Sequence, residues 1–274
     1  MMQQLGNDVH LTTIENLPIY RAQAFEQHPN LVHAIFTRQG GVSQPPYNSL
    51  NLGSMVGDDP VAVTQNFHRL CEQIHVTPEQ VVSCHLIHGA KVLTVTKSNR
   101  QSFMGKADGM ITKEMDTYLF MRFGDCTPLL FFDPVQQAVG LTHAGWRGTM
   151  ANVSGATIEA MTSHLGCHPE NIISVIGPAI GACCYEVGGE VMAQAKQSLT
   201  DSETLFSAYN DTLTHAHFDM IAANRHQLVE AGVKQIIQSD LCTAFQTDHF
   251  FSHRAEKGKT GRFGVMIGIR GNQA

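Results

Sequence analysis

Short apolar runs recur along the chain and set what it can become: Leu31–Thr37, Val81–His85, Lys91–Thr96, Tyr118–Phe123, Pro128–Asp133, Ala138–His143, Ile172–Ile176, Lys234–Ile237 and Phe263–Ile269. Most are bounded by Gly, Pro or Asp, which marks strands rather than helices. Helical patterns are fewer. Asp59-Pro60 offers an N-cap and a first-turn proline, after which Val63, Phe67, Leu70 and Ile74 share one face. A second helix is expected from about Thr149 to His164, a third after Gly188-Gly189, and a fourth from Asp219 to the stop at Gly232. Strands outnumber helices and do not alternate with them, so an α+β domain is expected rather than a doubly wound parallel sheet. No linker, repeat or charge run divides the chain. Residues 1–274 read as a single domain of mixed sheets flanked by helices, with about 1–30 as a peripheral N-terminal segment.

Charge and hydropathy exclude several partners. Formal net charge is −6, so no basic footprint for nucleic acid is present. No run approaches the ~18 apolar residues of a membrane span. The first residues lack a basic stretch followed by an apolar one, so no secretory signal is expected. Seven cysteines, odd in number and irregular in spacing, read as reduced thiols in a cytoplasmic protein.

Three segments place ligand-type side chains beside glycine at strand ends: Cys84-His85-Leu86-Ile87-His88-Gly89, Phe123-Gly124-Asp125-Cys126-Thr127-Pro128, and His143-Ala144-Gly145-Trp146-Arg147-Gly148-Thr149. His88, Cys126 and His143 make a His₂Cys set of the kind that holds catalytic zinc and leaves one position open. Their separations of 38 and 17 residues are not those of a local motif. The residues alone therefore leave three readings: a metal centre, three unrelated half-buried side chains, or a Cys126 thiolate nucleophile. In the last, His143 or His88 is the base and Asp125 or Asp108 orients the imidazole. A multicopper oxidase needs several His-x-His pairs, and the chain has one, His215-Ala216-His217, expected at the surface or capping a helix.

Arg38, Arg147, Arg254 and Arg262 each sit near Gly, Ser or Thr, the company of a bound phosphate or carboxylate, or of a structural ion pair. No Walker A sequence and no Gly-x-Gly-x-x-Gly opening a helix is present. In the loop Ile176–Gly188, the adjacent Cys183 and Cys184 are expected to pack in a tight turn, and Glu186 is an acid, a base or a helix-start carboxylate.

Together these segments resemble the YfiH-type, laccase-domain family, formerly called multicopper polyphenol oxidases and linked to purine nucleoside phosphorolysis. The resemblance runs through Phe36–Ser43, Ser49-Leu50-Asn51-Leu52-Gly53, His88-Gly89, Ala107-Asp108-Gly109, Asp125–Pro128, His143–Thr149, Ile176–Gly188, and Cys242-Thr243 to Arg262-Phe263. It implies α/β/β/α-type layers and a metal held by His88, Cys126 and His143, zinc in the first place and copper as the other ion such donors take. It implies phosphorolysis of adenosine, inosine and methylthioadenosine, with deamination of adenosine, although the zinc deaminase signature is absent. The partners implied are a small-molecule nucleoside and phosphate, bound by a monomer or small homo-oligomer. Arg38, Asn51, Arg147 and Arg254 are then the substrate-binding candidates, and Asp125 and Asp108 the proton donors toward the purine. Leu86 stands where family members often have Gln, and Gly124 where they often have Ala. A cysteine-type hydrolase editing peptidoglycan precursors, a copper-dependent laccase-like polyphenol oxidase and a non-catalytic metal-binding protein are the alternatives.

Overall fold

The computed structural model describes residues 9–208 and 214–271. All nine apolar runs form strands, and seven more strands join them. In chain order they are β1 (Val9–Ile14), β2 (Leu17–Ala22), β3 (Leu31–Phe36), β4 (Val81–His85), β5 (Val92–Thr94), β6 (Phe103–Lys106), β7 (Gly109–Thr112) and β8 (Thr117–Phe123). There follow β9 (Thr127–Asp133), β10 (Ala138–Ala144), β11 (Ile173–Ile176), β12 (Glu186–Gly188), β13 (Phe206–Ser207), β14 (His215–Phe218), β15 (Gln235–Gln238) and β16 (Phe263–Ile269). The helices are α1 (Gln23–Glu26), α2 (Pro60–Gln73), α3 (Trp146–Met150), α4 (Val153–Leu165), α5 (Gly189–Ser198) and α6 (Met220–Glu230).

The strands build a seven-stranded sheet, β1-β2-β3-β16-β8-β4-β6, a six-stranded sheet, β15-β11-β9-β10-β7-β5, and a small sheet, β12-β14-β13. Most pairs are antiparallel, but β4 runs parallel to β6 and β8, β5 to β7, and β11 to β15. The two large sheets pack face to face. Successive side chains of a strand point to opposite faces, and the burial shows where each set goes. Leu119, Met121 and Phe123 of β8 meet Leu130 and Phe132 of β9 and Val139 and Leu141 of β10 between the sheets. The alternate residues Tyr118 and Phe120 turn outward to Leu70, Cys71 and Ile74 at the α2 end. Leu129 and Phe131 turn outward on the other side to Val153, Ile158 and Met161 of α4 and Ile221 and Leu228 of α6. Both faces of each large sheet are thus covered, which is why their central strands read as unbroken apolar runs. The expected α/β/β/α layering is the one that forms.

Three local differences from the sequence reading have plain causes. The helix expected over Thr149–His164 is two helices. Asn152 adopts a left-handed conformation, φ 56°, and its Oδ1 accepts from Gly155 N at 3.0 Å, capping α4 and ending α3. His215 and His217 lie on the strand β14 and not at a helix cap, with His215 at the surface as expected and His217 Nδ1 donating to Ala182 O at 2.6 Å. β1, at the edge of the seven-stranded sheet, and β2 beside it are strands that the apolar runs do not include. Among the described residues, no helix is long and apolar enough to cross a membrane.

Phe120 is fully buried beneath α2, with the Phe67 ring 5.5 Å away. Phe120→Ala is expected to cost about 3–5 kcal/mol through the cavity it leaves. A drop in the urea midpoint without a change in slope checks this.

Candidate active site

The site forms where the two large sheets meet at one end. Cys126 lies in the turn that carries the chain from β8 in one sheet to β9 in the other, and His143 is the penultimate residue of β10 in the second. His88 stands in the loop after β4, in a left-handed conformation at φ 57°. The ring nitrogens of His88 and His143 and the Cys126 sulfur come within 4.8 Å of one another. His143 is buried, Cys126 half-buried and His88 exposed.

Asp108, fully buried just before β7, organises this set. Its Oδ1 accepts from His88 N at 2.9 Å and from His143 Nδ1 at 3.1 Å, and its Oδ2 accepts from Gly89 N at 2.7 Å. Its own carbonyl accepts from His143 N at 2.7 Å. Burial works against its charge, but these donors outweigh it and hold the carboxyl below its ordinary range. With Nδ1 fixed as a donor to Asp108, His143 turns Nε2 toward the sulfur, the carboxylate–histidine arrangement that tunes metal ligands.

Electrostatics bind Cys126 and His143 into a pair. Burial would raise the thiol, yet the His143 charge and hydrogen bonds from His143 and His88 bring it down to about 6. Burial would lower His143, yet the Cys126 charge and Asp108 carry it up to about 9. The sulfur is therefore a thiolate at neutral pH, as a metal ligand must be. The donor set of two imidazoles and one thiolate suits zinc. So does the space: a Cβ on Gly145 would stand 3.0 Å from both Cys126 Sγ and His88 Nδ1, so only glycine leaves that side of the cluster open.

The other anticipated residues fall into two groups. Asp125, at φ 95°, is tied to two neighbouring segments: Oδ1 accepts from Thr243 Oγ1 at 2.7 Å and Oδ2 from Arg254 N at 2.6 Å. Asn51 is fully buried; its Oδ1 accepts from Gly53 N and Arg262 N, and its Nδ2 donates to Asp58. Arg38 is paired with Glu256 at 3.0 Å, donates to the Asn48 and Thr247 carbonyls, and lies over Phe251. It borders a cleft of about 670 Å³, but its charge is already neutralised there. Arg147 and Arg254 are exposed, lie over Trp146 and Tyr185 respectively, and bear on Tyr185 together with Cys126 and Asp125.

Arg262 is the cation that the residue patterns undervalued. It shares a cavity of about 410 Å³ with His88, Leu86, Gly53–Val56 and Phe103. The negative groups that act on its charge are Cys126, Asp125 and Glu256. Its Nη1 donates to the Thr260 and Gly261 carbonyls, which leaves most of its five donors unspent. Of the two departures from the family pattern, Leu86 lines this cavity and Gly124 lies against Arg262. Leu86 makes its wall apolar, and Gly124 gives Arg262 room, since a Cβ there would stand 3.0 Å from Arg262 Cδ. No sequence signal pointed to Met55 or Phe103, both exposed apolar side chains on its rim.

A family profile described as multi-copper polyphenol oxidoreductase laccase matches residues 32–270. The purine nucleoside phosphorylase YlmD of Geobacillus stearothermophilus is 38% identical over 249 residues, covering 87% of this chain and 90% of that protein. The purine nucleoside phosphorylase YfiH of Escherichia coli is 36% identical over 231 residues, covering 84% and 90%. The crystal structure of YlmD from Geobacillus stearothermophilus superposes with a TM-score of 0.89 at 35% identity, over 95% of this chain and 99% of that one.

Asp108→Asn keeps the shape but removes the charge that fixes His143. The expected result is zinc affinity lowered about 10–100-fold, read by competition with a chromophoric chelator. In metal-free protein, iodoacetamide labelling of Cys126 is expected to rise through about pH 6 rather than through the ordinary thiol range, because the thiolate is populated above that pH. A midpoint near 9 would contradict the ion pair.

Proposed function

The chain belongs to the multi-copper polyphenol oxidoreductase laccase family, and we propose that within it this protein is a zinc-dependent purine nucleoside phosphorylase. The observation that carries this reading is the shared cavity. His88 of the metal-ligating set and the incompletely paired Arg262 face one space of about 410 Å³, with Leu86, Val56, Met55 and Phe103 as apolar walls. That volume is within the ~300–1,000 Å³ range of small-molecule sites. An apolar wall suits the faces of a purine, and a guanidinium fork suits phosphate.

His88, Cys126 and His143 would hold the zinc, which when bound supplies a Lewis acid at the edge of the cavity. The chain's own residues do the positioning. Arg262 would hold phosphate against the ribose, so that a phosphate oxygen forms the new bond to C1′ as the bond to the purine nitrogen breaks. The purine leaves with that electron pair and takes up, through solvent, the proton that the attacking hydrogen phosphate releases. Asn51 fixes the Arg262 backbone through its Oδ1. Asp108 and Asp125, whose carboxylate oxygens already accept from protein donors, act as framework and not as the proton source. Inosine, adenosine and methylthioadenosine are the proposed nucleosides. Deamination of adenosine draws less support, because those two carboxylates are not free to carry protons.

One observation favours a second reading. Asp108, His143 and Cys126 line up as carboxylate, imidazole and thiolate, the order of a cysteine hydrolase that would attack an amide. Metal dependence separates the two.

Incubation of inosine with phosphate is expected to yield hypoxanthine and ribose 1-phosphate. Chelation should abolish turnover and zinc should restore it. No product from zinc-loaded protein overturns the reading, and amide cleavage by metal-free protein with an adduct on Cys126 establishes the second. Arg262→Gln is expected to raise the KM for phosphate about 10–100-fold, the equivalent of ~1.5–3 kcal/mol for a hydrogen bond to a charged group. Arg38→Gln should instead lower stability.

A further inference from the structure

We propose that Cys183, Cys184 and Cys242 form a second, all-sulfur site for a soft monovalent cation, with Cu(I) as its chemical type. The three sulfurs lie within 4.8 Å of one another. Cys183 Sγ and Cys184 Sγ are 3.4 Å apart and are free thiols, as is Cys242. A metal–sulfur distance of ~2.3 Å places the sulfurs of a trigonal site about 4.0 Å from one another, within the spread seen here.

The backbone builds this cluster. The segments Ala179–Cys184 and Leu241–Thr243 run side by side: Ala179 N donates to Leu241 O at 3.2 Å and Thr243 N to Ala179 O at 2.9 Å. Cys184 N donates to Gly181 O at 3.0 Å, closing the turn that brings the adjacent cysteines to Cys242. Gly181 N donates to Cys242 Sγ at 3.2 Å, which favours a sulfur that carries negative charge. A Cβ on Gly181 would stand 3.4 Å from Cys183 Sγ and 3.6 Å from Cys242 Sγ, so the glycine keeps the face of the cluster clear.

The donor type selects the ion. Among the described residues, no His, Asp or Glu joins these three sulfurs in the group. Three thiolates without nitrogen or oxygen suit Cu(I) better than a harder divalent ion. The exposed Cys183 leaves the cluster open to solvent. The set shares no residue with His88, Cys126 and His143. Binding replaces thiol protons by the cation and oxidises nothing: each sulfur that enters the site releases its proton to solvent.

The test is an anaerobic titration with Cu(I), buffered by a chromophoric Cu(I) chelator. It uses the full-length chain and a Cys126→Ala variant that lacks the first site's thiolate. Cys126→Ala is expected to retain one tightly held Cu(I) with only sulfur neighbours by X-ray absorption. Adding Cys183→Ser and Cys242→Ser should weaken that binding at least about tenfold. In the unaltered chain, one equivalent of Cu(I) should slow alkylation of Cys183, mapped by peptide mass. Unchanged Cu(I) binding in the serine variant, nitrogen neighbours, or unprotected Cys183 would each overturn the proposal. So would a disulfide among the three cysteines in protein purified without oxygen.

Discussion

A single buried carboxylate holds the site together. Asp108 has no exposed surface, and a charge in that position is tolerated only when its oxygens are fully paired. The pairing draws in the His88 and Gly89 backbone from one loop and the His143 ring from β10. The need to solvate one anion thus fixes the relation between two side chains of the His88, Cys126 and His143 cluster that come from different sheets. The left-handed backbone at His88 follows from the same demand, since in that conformation its N–H reaches Asp108 Oδ1. Cys126 then needs only the β8–β9 turn, which the packing of the two sheets already imposes.

The same economy explains a chain with only 15% charged residues. Several of its buried polar groups tie loops together. Asp125 ties the turn before Cys126 to Thr243 and Arg254. Asn66 joins Ser43, Ser49, Asn51 and Val42. Glu256 gathers Arg38, Ser252 and Thr260. These networks are rigid because every broken bond would leave a buried group unpaired. They hold the cavity walls while most of the reactive groups at the site, Cys126, His88 and Arg262, stay less than fully buried.

The fold was legible in the sequence where burial is complete. β9, β10 and β16 are buried at every position, so their apolar runs are continuous and bounded. β1 alternates exposed and half-buried residues at the sheet edge, and β6 is largely exposed, so neither leaves such a run. The break between α3 and α4 hides in Asn152, a residue that also tolerates helix interiors; only its left-handed backbone reveals it. At the site, His88, Cys126 and His143 were legible because chain ends of buried strands carry them beside glycine. The backbone hydrogen bonds that Asp108, Asp125 and Asn51 make were not, because a polar residue in a loop reads alike whether it meets substrate or backbone.

Arginine shows where local pattern stops being informative. Arg38 lies two residues before Gly40 and Arg262 directly after Gly261, and both feel the charge of Glu256, yet their electrostatic states differ. Arg38 meets that carboxylate directly at 3.0 Å, and two carbonyls complete its shell. Arg262 only senses Glu256, Asp125 and Cys126 at longer range, and its direct partners are two neutral carbonyls on a single nitrogen. Phosphate brought to Arg38 would have to displace a carboxylate already in place, so the attraction it gains is offset by the one it breaks. Brought to Arg262 it meets donors still open, in a cavity whose apolar walls strengthen the interaction. Which cation can bind an anion is therefore decided by tertiary pairing, at contacts more than two hundred residues apart for Arg38 with Glu256 and for Arg262 with Asn51.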